Sequence, residues 1–244
     1  MLMNNKSDKL CFGWFPSTHK LVSVKGAKRF NSLVPPDMRI NFKTLLRSCI
    51  EPDRSTDPVR RNISGHFVDI DNLRSDPPDA FHLAKKYTQA AIEAHRKKNY
   101  AKRDECFGLA SHYAQDIGPH HTVFEELAPG HPERIAHRDL ELGVQKTQRK
   151  VIEKAKLPEQ TSSVPFWDKT MPEAMRNAKN QYFQVKNEKD PEKISKIAEE
   201  ALLNTYRTTI AFFEEFARMI NKARTPKRIG LHSSAPKRKF EAVV

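Results

Sequence analysis

"GLASHYAQDIGPHHTVF", from Gly108 to Phe124, is the stretch on which the reading of this chain turns. It puts three histidines and one aspartate into the ten residues from His112 to His121, in a chain that has ten histidines altogether. Leu109, Ala110, Tyr113 and Ile117 recur at helical spacing, and Gly118-Pro119 is a strong helix stop. On such a helix His112 and Asp116, four apart, share a face. That places them at the edge of the apolar stripe, where a His and an Asp are costly unless something satisfies them. Imidazole and carboxylate are ligands that suit zinc, so the pair is half of a candidate metal site.

The same helical period runs outward on both sides. Upstream it predicts a helix opening at Ser17 or Thr18 and carrying His19, Leu21 and Val22. It predicts a second helix over about Met38–Cys49 and a third over Asp79–Tyr100, with Phe81, Ala84, Tyr87, Ala91 and Ile92 inward. The helix that holds the quoted motif is expected over Lys102–Ile117. Residues Ile50 to Pro78 read as an irregular loop. Downstream, helices are expected over Pro132–Lys154, Pro172–Lys186 and Pro191–Ala223, with a loop at "LPEQTSSVPFWD". In the last helix Ile194, Ile197, Ala201, Leu202, Tyr206, Ile210, Phe213, Phe216 and Ile220 form a broad apolar stripe, which is core. There is no sustained two-residue alternation, no Asn-Gly or Asp-Gly hairpin and no internal repeat. The expected fold is an all-α, multi-helix bundle.

Composition bounds the rest. At 244 residues, 38% hydrophobic and 30% charged, the chain reads as one soluble domain. No apolar run approaches the roughly 18 residues of a membrane span. Three scattered cysteines, Cys11, Cys49 and Cys106, make no disulfide framework and fit a reducing compartment. No signal peptide is seen at the start, so the expected location is cytoplasmic, or outside the cell by a route that leaves no such mark. The net charge of +13 favours anionic partners. It is concentrated from Lys222 onward, where seven Lys/Arg face one Glu among Pro, Gly and Ser. The expected organisation is an N-terminal extension over 1–13, one all-α domain over 14–223 and a basic, disordered tail over 224–244. The tail could touch nucleic acid or an anionic membrane surface, or simply be solvated.

Further ligand-type residues cluster upstream of the motif. "WFPSTHKLV" supplies Trp14 and His19, "IEPDRSTDP" supplies Asp53 and Asp57, and "SGHFVDIDN" supplies His66, Asp69 and Asp71. Downstream, His137 and Glu141 are a second pair four apart, in "AHRDLE". This is more than one ion needs, and composition does not choose between a multinuclear site and accidental residues. His82 and His95, on a helix with no partner motif, read as helix-surface or core-edge residues, and His131 reads as a loop residue.

Taken together, these segments resemble the zinc-dependent phospholipase C family and its relatives, the single-strand-specific zinc nucleases. The matches are strongest at "SGHFVDIDN" and "GLASHYAQDIGPHH" and extend over roughly Trp14 to Val144. The family is all-α and cleaves phosphodiesters with a trinuclear zinc cluster. The resemblance implies two to three zinc ions (Zn2+) here. Asp53, His66, His112 and Asp116 would hold one. His121, His137 and Glu141 would hold another. Trp14, His19 and Asp116 would hold the third, with Asp116 bridging. Asp53 would also be the general base. In the family the mature chain begins at the tryptophan, which binds zinc through its free amine and carbonyl, whereas Trp14 is internal. The step from Asp116 to His121 is one residue shorter than the family's, which leaves His120 beside His121 as a ligand candidate. Arg54, Ile63 and Phe67 would line the substrate site. Arg54 and Ile63 stand where phosphocholine-selective members carry aromatics, so an anionic group suits this site better than a quaternary ammonium.

The resemblance therefore implies a phospholipase C-like hydrolase acting on a phospholipid or another phosphodiester. Two other readings stay beside it. One is a single-strand nuclease or nucleotidase on the same scaffold, favoured by the +13 charge and the basic tail. The other is a non-enzymatic basic helical binding protein.

Overall fold

The computed structural model describes residues 14, 16–54, 66, 68, 71, 73, 78–117, 142–145, 147–155 and 165–224. Among these residues every extended element is helical: α1 (Pro16–Leu33), α2 (Phe42–Ser48), α3 (Glu51–Arg54), α4 (Ala80–Arg96), α5 (Tyr100–Asp116), α6 (Gln148–Lys154), α7 (Met171–Asn187) and α8 (Pro191–Arg224). A 3-10 turn at Pro36–Met38 precedes α2, and a π-helical turn at Phe166–Thr170 leads into α7. The all-α bundle read from the sequence is the fold observed. No helix among the described residues is long and apolar enough to cross a membrane.

Short polar residues set the helix starts. Asp79 caps α4 by accepting from the His82 amide at 2.9 Å, and Asn99 caps α5 by accepting from the Lys102 amide at 3.1 Å. Between the two helices Lys98 has φ 57°, the left-handed conformation that ends a helix and reverses the chain. The predicted helix over Asp79–Tyr100 therefore stops at Arg96, and α5 opens two residues earlier than expected. α2 also starts later than Met38. Asn41 is its cap, accepting from the Thr44 amide at 3.0 Å, and the Ile40 amide is held by Asn31 Oδ1 at 2.8 Å instead of joining the helix. Nor do Ser17 and Thr18 open α1, which already begins at Pro16; the Thr18 hydroxyl bonds Gln148 Oε1 on α6 at 2.5 Å. The stretch expected as loop after Ile50 begins with the helical turn α3, and the loop expected through Asp168 already winds at Phe166. Of the helix expected over Pro132–Lys154, residues 142–145 and 148–154 are helical and residues 132–141 and 146 lie outside the described residues, as do residues 225–244 of the basic tail, whose first residue, Arg224, ends α8.

α5 lies at the centre, packed against α4, α2 and α8. Every residue from Cys106 to Ile117 is buried, so this helix has no solvent face along its C-terminal half. Its N-terminal half meets the apolar stripe of α8. Phe107 stacks on Phe216 with ring centroids 3.8 Å apart and meets Phe213 at 4.7 Å and Phe212 at 5.1 Å. Gly108 lets α2 come in close: a Cβ there would lie 2.6 Å from the Leu45 carbonyl oxygen. The buried Arg103 locks the entry to α2. Its guanidinium donates to the carbonyls of Met38 and Arg39, both at 2.8 Å, while Asp104 pairs with it and accepts from the Asn41 amide. A second apolar cluster joins Trp14, Val22, Val144, Ile152, Tyr182, Leu202 and Tyr206.

Candidate metal centre

Three helices and the chain before α4 deliver five ligand-type side chains to one buried point. α1 brings His19, α3 brings Asp53 and α5 brings His112 and Asp116, while His66 comes from the chain between α3 and α4. α2 contributes through its C-cap, the Cys49 carbonyl, which receives His112 Nδ1 at 2.8 Å. His19, His112 and Asp116 have no exposed surface, and the His66 and Asp53 side chains are 3% exposed.

Asp116 is the hub. Its Oδ2 lies 2.9 Å from His66 Nδ1 and 3.1 Å from His112 Nε2, and its Oδ1 lies 3.2 Å from His19 Nε2. Each carboxylate oxygen thus faces its own imidazole set. Asp53 stands further back, with Oδ1 3.7 Å from His112 Nε2 and 4.0 Å from His66 Nδ1, and Oδ2 4.0 Å from His19 Nε2. The His19 and His112 rings lie 4.3 Å apart.

The donor accounting points to a cation. A carbonyl can only accept, so the Cys49 bond fixes the proton of His112 on Nδ1. In a neutral ring Nε2 then carries a lone pair, and it faces Asp116 Oδ2 and, at 3.1 Å, His66 Nδ1. Lone-pair atoms this close repel unless a proton or a metal lies between them. Ligands about 2.0–2.1 Å from a tetrahedral zinc are about 3.3–3.4 Å apart, close to the 2.9–3.1 Å seen within the His66–His112–Asp116 trio. These three, and His19, Asp53 and His112, form two groups whose ligand atoms fall within the span of one ion. His19 Nε2, both Asp53 oxygens and Asp116 Oδ1 are buried without a hydrogen-bond partner among the described residues. Such orphaned atoms are costly, and a bound cation would satisfy all of them at once.

Electrostatics follows the geometry. Burial works against charge on Asp116, but the His112 charge and the imidazole nitrogens of His112, His19 and His66 that face its oxygens hold its carboxyl well below the usual range. Burial also works against a charged His19, yet the Asp116 oxygen facing it and the charges of Asp116 and Asp53 raise it above the ordinary histidine value. Desolvation pushes the nearby Cys49 thiol up to about 12, so Cys49 is a buried thiol rather than a thiolate ligand.

Of the residues singled out from the sequence, His19, Asp53, His66, His112 and Asp116 come together. His112 and Asp116 sit in the interior rather than at a helix edge, because α5 is covered on every side where they project. Trp14 is fully buried in the second apolar cluster, its indole donating to Thr205 Oγ1 at 3.2 Å. Arg54 is exposed at the end of α3, one residue from Asp53. Asp71 is on the surface, paired with Lys179. His82 pairs with its own helix cap, Asp79, at 2.8 Å, and His95 lies at the core edge beside Tyr100. His120, His121, His137, Glu141, Ile63, Phe67, Asp57 and Asp69 lie outside the described residues. Sequence reasoning missed the polar layer behind the histidines, namely Ser23, Ser111, Gln115 and the Cys49 carbonyl. Its only trace in the sequence is Ser111 and Gln115 standing four apart beside the His112–Asp116 pair.

No family model matches the chain, and no curated protein does. Solved structures do. The α-toxin of Clostridium perfringens, from avian strain SWCP, superposes with a TM-score of 0.65 at 19% identity, over 84% of this chain and 64% of the toxin. The α-toxin of Clostridium absonum superposes with a TM-score of 0.61 at 16% identity, over 86% of this chain and 66% of the toxin. The chain thus spans just under two thirds of the length of these toxins, and what it shares with them is the all-α fold of the α-toxin/phospholipase C type.

Proposed function

We propose that this chain is a zinc-dependent phosphodiesterase that hydrolyses a phospholipid headgroup ester in the manner of a phospholipase C. The observation that carries the reading is Asp116, whose two oxygens face two separate imidazole sets in a buried cluster of uncompensated ligand atoms. The shared fold supports it. In this reading His66, His112, Asp116 and Asp53 hold one zinc ion. His19 and the other oxygen of Asp116 hold another with the backbone of Trp14. His121, His137 and Glu141 hold a third.

Zinc, when bound, neutralises phosphate oxygens and acidifies a water. The chain's own residues do the rest. Asp53 stands behind the trio with both oxygens unpartnered, which suits a base that accepts the proton of the attacking water. The water oxygen bonds to phosphorus as the phosphorus–oxygen bond to the alcohol breaks, and the proton accepted by Asp53 passes to the leaving alcohol oxygen. Arg54, exposed next to Asp53, attracts the anionic part of the substrate. The family resemblance adds Ile63 and Phe67, outside the described residues, to the substrate site of this reading.

One assay panel tests this reading: diacylglycerol release from phospholipid vesicles, cleavage of single-stranded DNA and hydrolysis of phosphate monoesters, each at low and high salt. Chelator-sensitive diacylglycerol release, lost in Asp53→Asn, is the expected result. Salt-sensitive cleavage of single strands without lipid turnover would move the chain to the nuclease reading.

A further inference from the structure

Gln115 precedes the hub aspartate in sequence and is itself fully buried, which is unusual for a side chain with one acceptor and two donors. All three are used. Its Nε2 donates to Ser23 Oγ and to Ser111 Oγ, both at 2.8 Å. Its Oε1 is 3.0 Å from His19 Nδ1. The two serines bond each other at 3.1 Å, and Ser23 reaches the Cys49 thiol at 3.0 Å. With both amide hydrogens taken by hydroxyls on α1 and α5, the amide cannot turn without losing two bonds. Its oxygen is therefore pinned against the His19 ring.

We infer that Gln115 is a positioning residue that fixes the protonation pattern of His19. The pinned oxygen accepts the Nδ1 hydrogen, so the neutral ring carries its lone pair on Nε2, the atom 3.2 Å from Asp116 Oδ1. His112 is set the same way by the Cys49 carbonyl. One buried amide and one backbone carbonyl thus aim two imidazoles at the two oxygens of one carboxylate. A partner on the far nitrogen of a metal-binding histidine both orients the ring and strengthens it as a ligand. The Ser23–Gln115–Ser111 layer further ties α1, which carries His19, to α5, which carries Asp116.

The inference rests on the zinc reading, and its test separates the two. Zinc affinity is measured by competition with a chromophoric chelator, and the His19 ring is read in long-range proton–nitrogen spectra of histidine-labelled, zinc-loaded protein. The wild-type spectrum should show His19 with hydrogen on Nδ1 and none on Nε2. Gln115→Met should lower the affinity for one ion about 10- to 100-fold. Gln115→Glu, which still accepts from Nδ1 and from both serine hydroxyls, should keep it. Ser111→Ala removes one bond to Nε2 and leaves Oε1 in place, so it should bind zinc like wild type. Hydrogen on His19 Nε2 in the wild type overturns the inference. So does full zinc affinity in Gln115→Met, or a loss in Ser111→Ala equal to that in Gln115→Met. If Gln115→Met does not fold, the wild-type spectrum and Gln115→Glu still decide. Wild type that takes no zinc removes the zinc reading and this inference together, whereas zinc binding unchanged by Gln115→Met removes only the inference.

Discussion

Phe107 and His112 stand five residues apart on the same buried helix, in opposite surroundings. Phe107 meets three phenylalanine rings of α8 and presents no atom that wants a hydrogen bond. His112 and Asp116 are as deeply buried, but Asp116 Oδ1 and three ligand atoms of their neighbours have no hydrogen-bond partner among the described residues. One half of α5 lowers the free energy of the fold through apolar burial. The other half raises it by desolvating polar groups, unless a cation offsets the cost. Equal burial therefore hides two roles: the apolar end anchors the helix, and the polar end is held by that anchor in an arrangement it would not choose alone.

Substitutions can break this contrast. The largest expected effect on stability is at the anchor. Phe107→Ala empties the centre of the ring stack and should cost about 3–5 kcal/mol in denaturant unfolding. A loss below 1 kcal/mol would show that the stack does not hold α5. Gly108→Ala acts at the junction of the two halves. Its methyl would meet the Leu45 carbonyl and Ser48, so α2 must move away, at a cost of about 1–3 kcal/mol. Because α2 ends in the carbonyl that receives His112, zinc affinity should fall too. Unfolding and zinc competition on the same sample check both, and a stability loss with unchanged zinc affinity would uncouple α2 from the site.

The smallest effect concerns pH in the metal-free protein. His19 is held above its ordinary value in the folded state, against about 6.5 when unfolded. The stability it contributes is full below about pH 6.5 and is lost as pH rises through the folded value. The stability gap between wild type and His19→Gln, measured with chelator present, should therefore narrow from pH 6 to pH 9. A gap that widens would mean that Asp116 and Asp53 do not act on His19 as described.

The apolar end was legible in the sequence, and the polar end only in part. Leu202, Tyr206, Phe213 and Phe216 announce the core stripe of α8 because periodicity reports burial on one face directly. Helix ends were less clear, since they depend on single side chains such as the Asn41 cap and on the left-handed Lys98. His112 and Asp116 were visible as a pair four apart, but their depth was not. A helix covered on all sides shows no clean stripe, so the pair looked like an edge feature. His19, Asp53 and His66 stand out as ligand-type residues, but only the family resemblance groups them with that pair. No local pattern reveals that α1, α3 and the chain near residue 66 converge. Gln115 has little to mark it in the sequence, because apart from Ser111 its partners, Ser23 and His19, are both more than 90 residues away.

The central claim is that a carboxylate on α5 holds a metal cluster together, and metal content tests it most directly. Protein purified without chelator, analysed for zinc alongside Asp116→Asn and His120→Ala, should carry two to three ions per chain in the wild type. Asp116→Asn should lose more zinc than His120→Ala. Wild-type protein without zinc, or equal loss in the two variants, would contradict the claim.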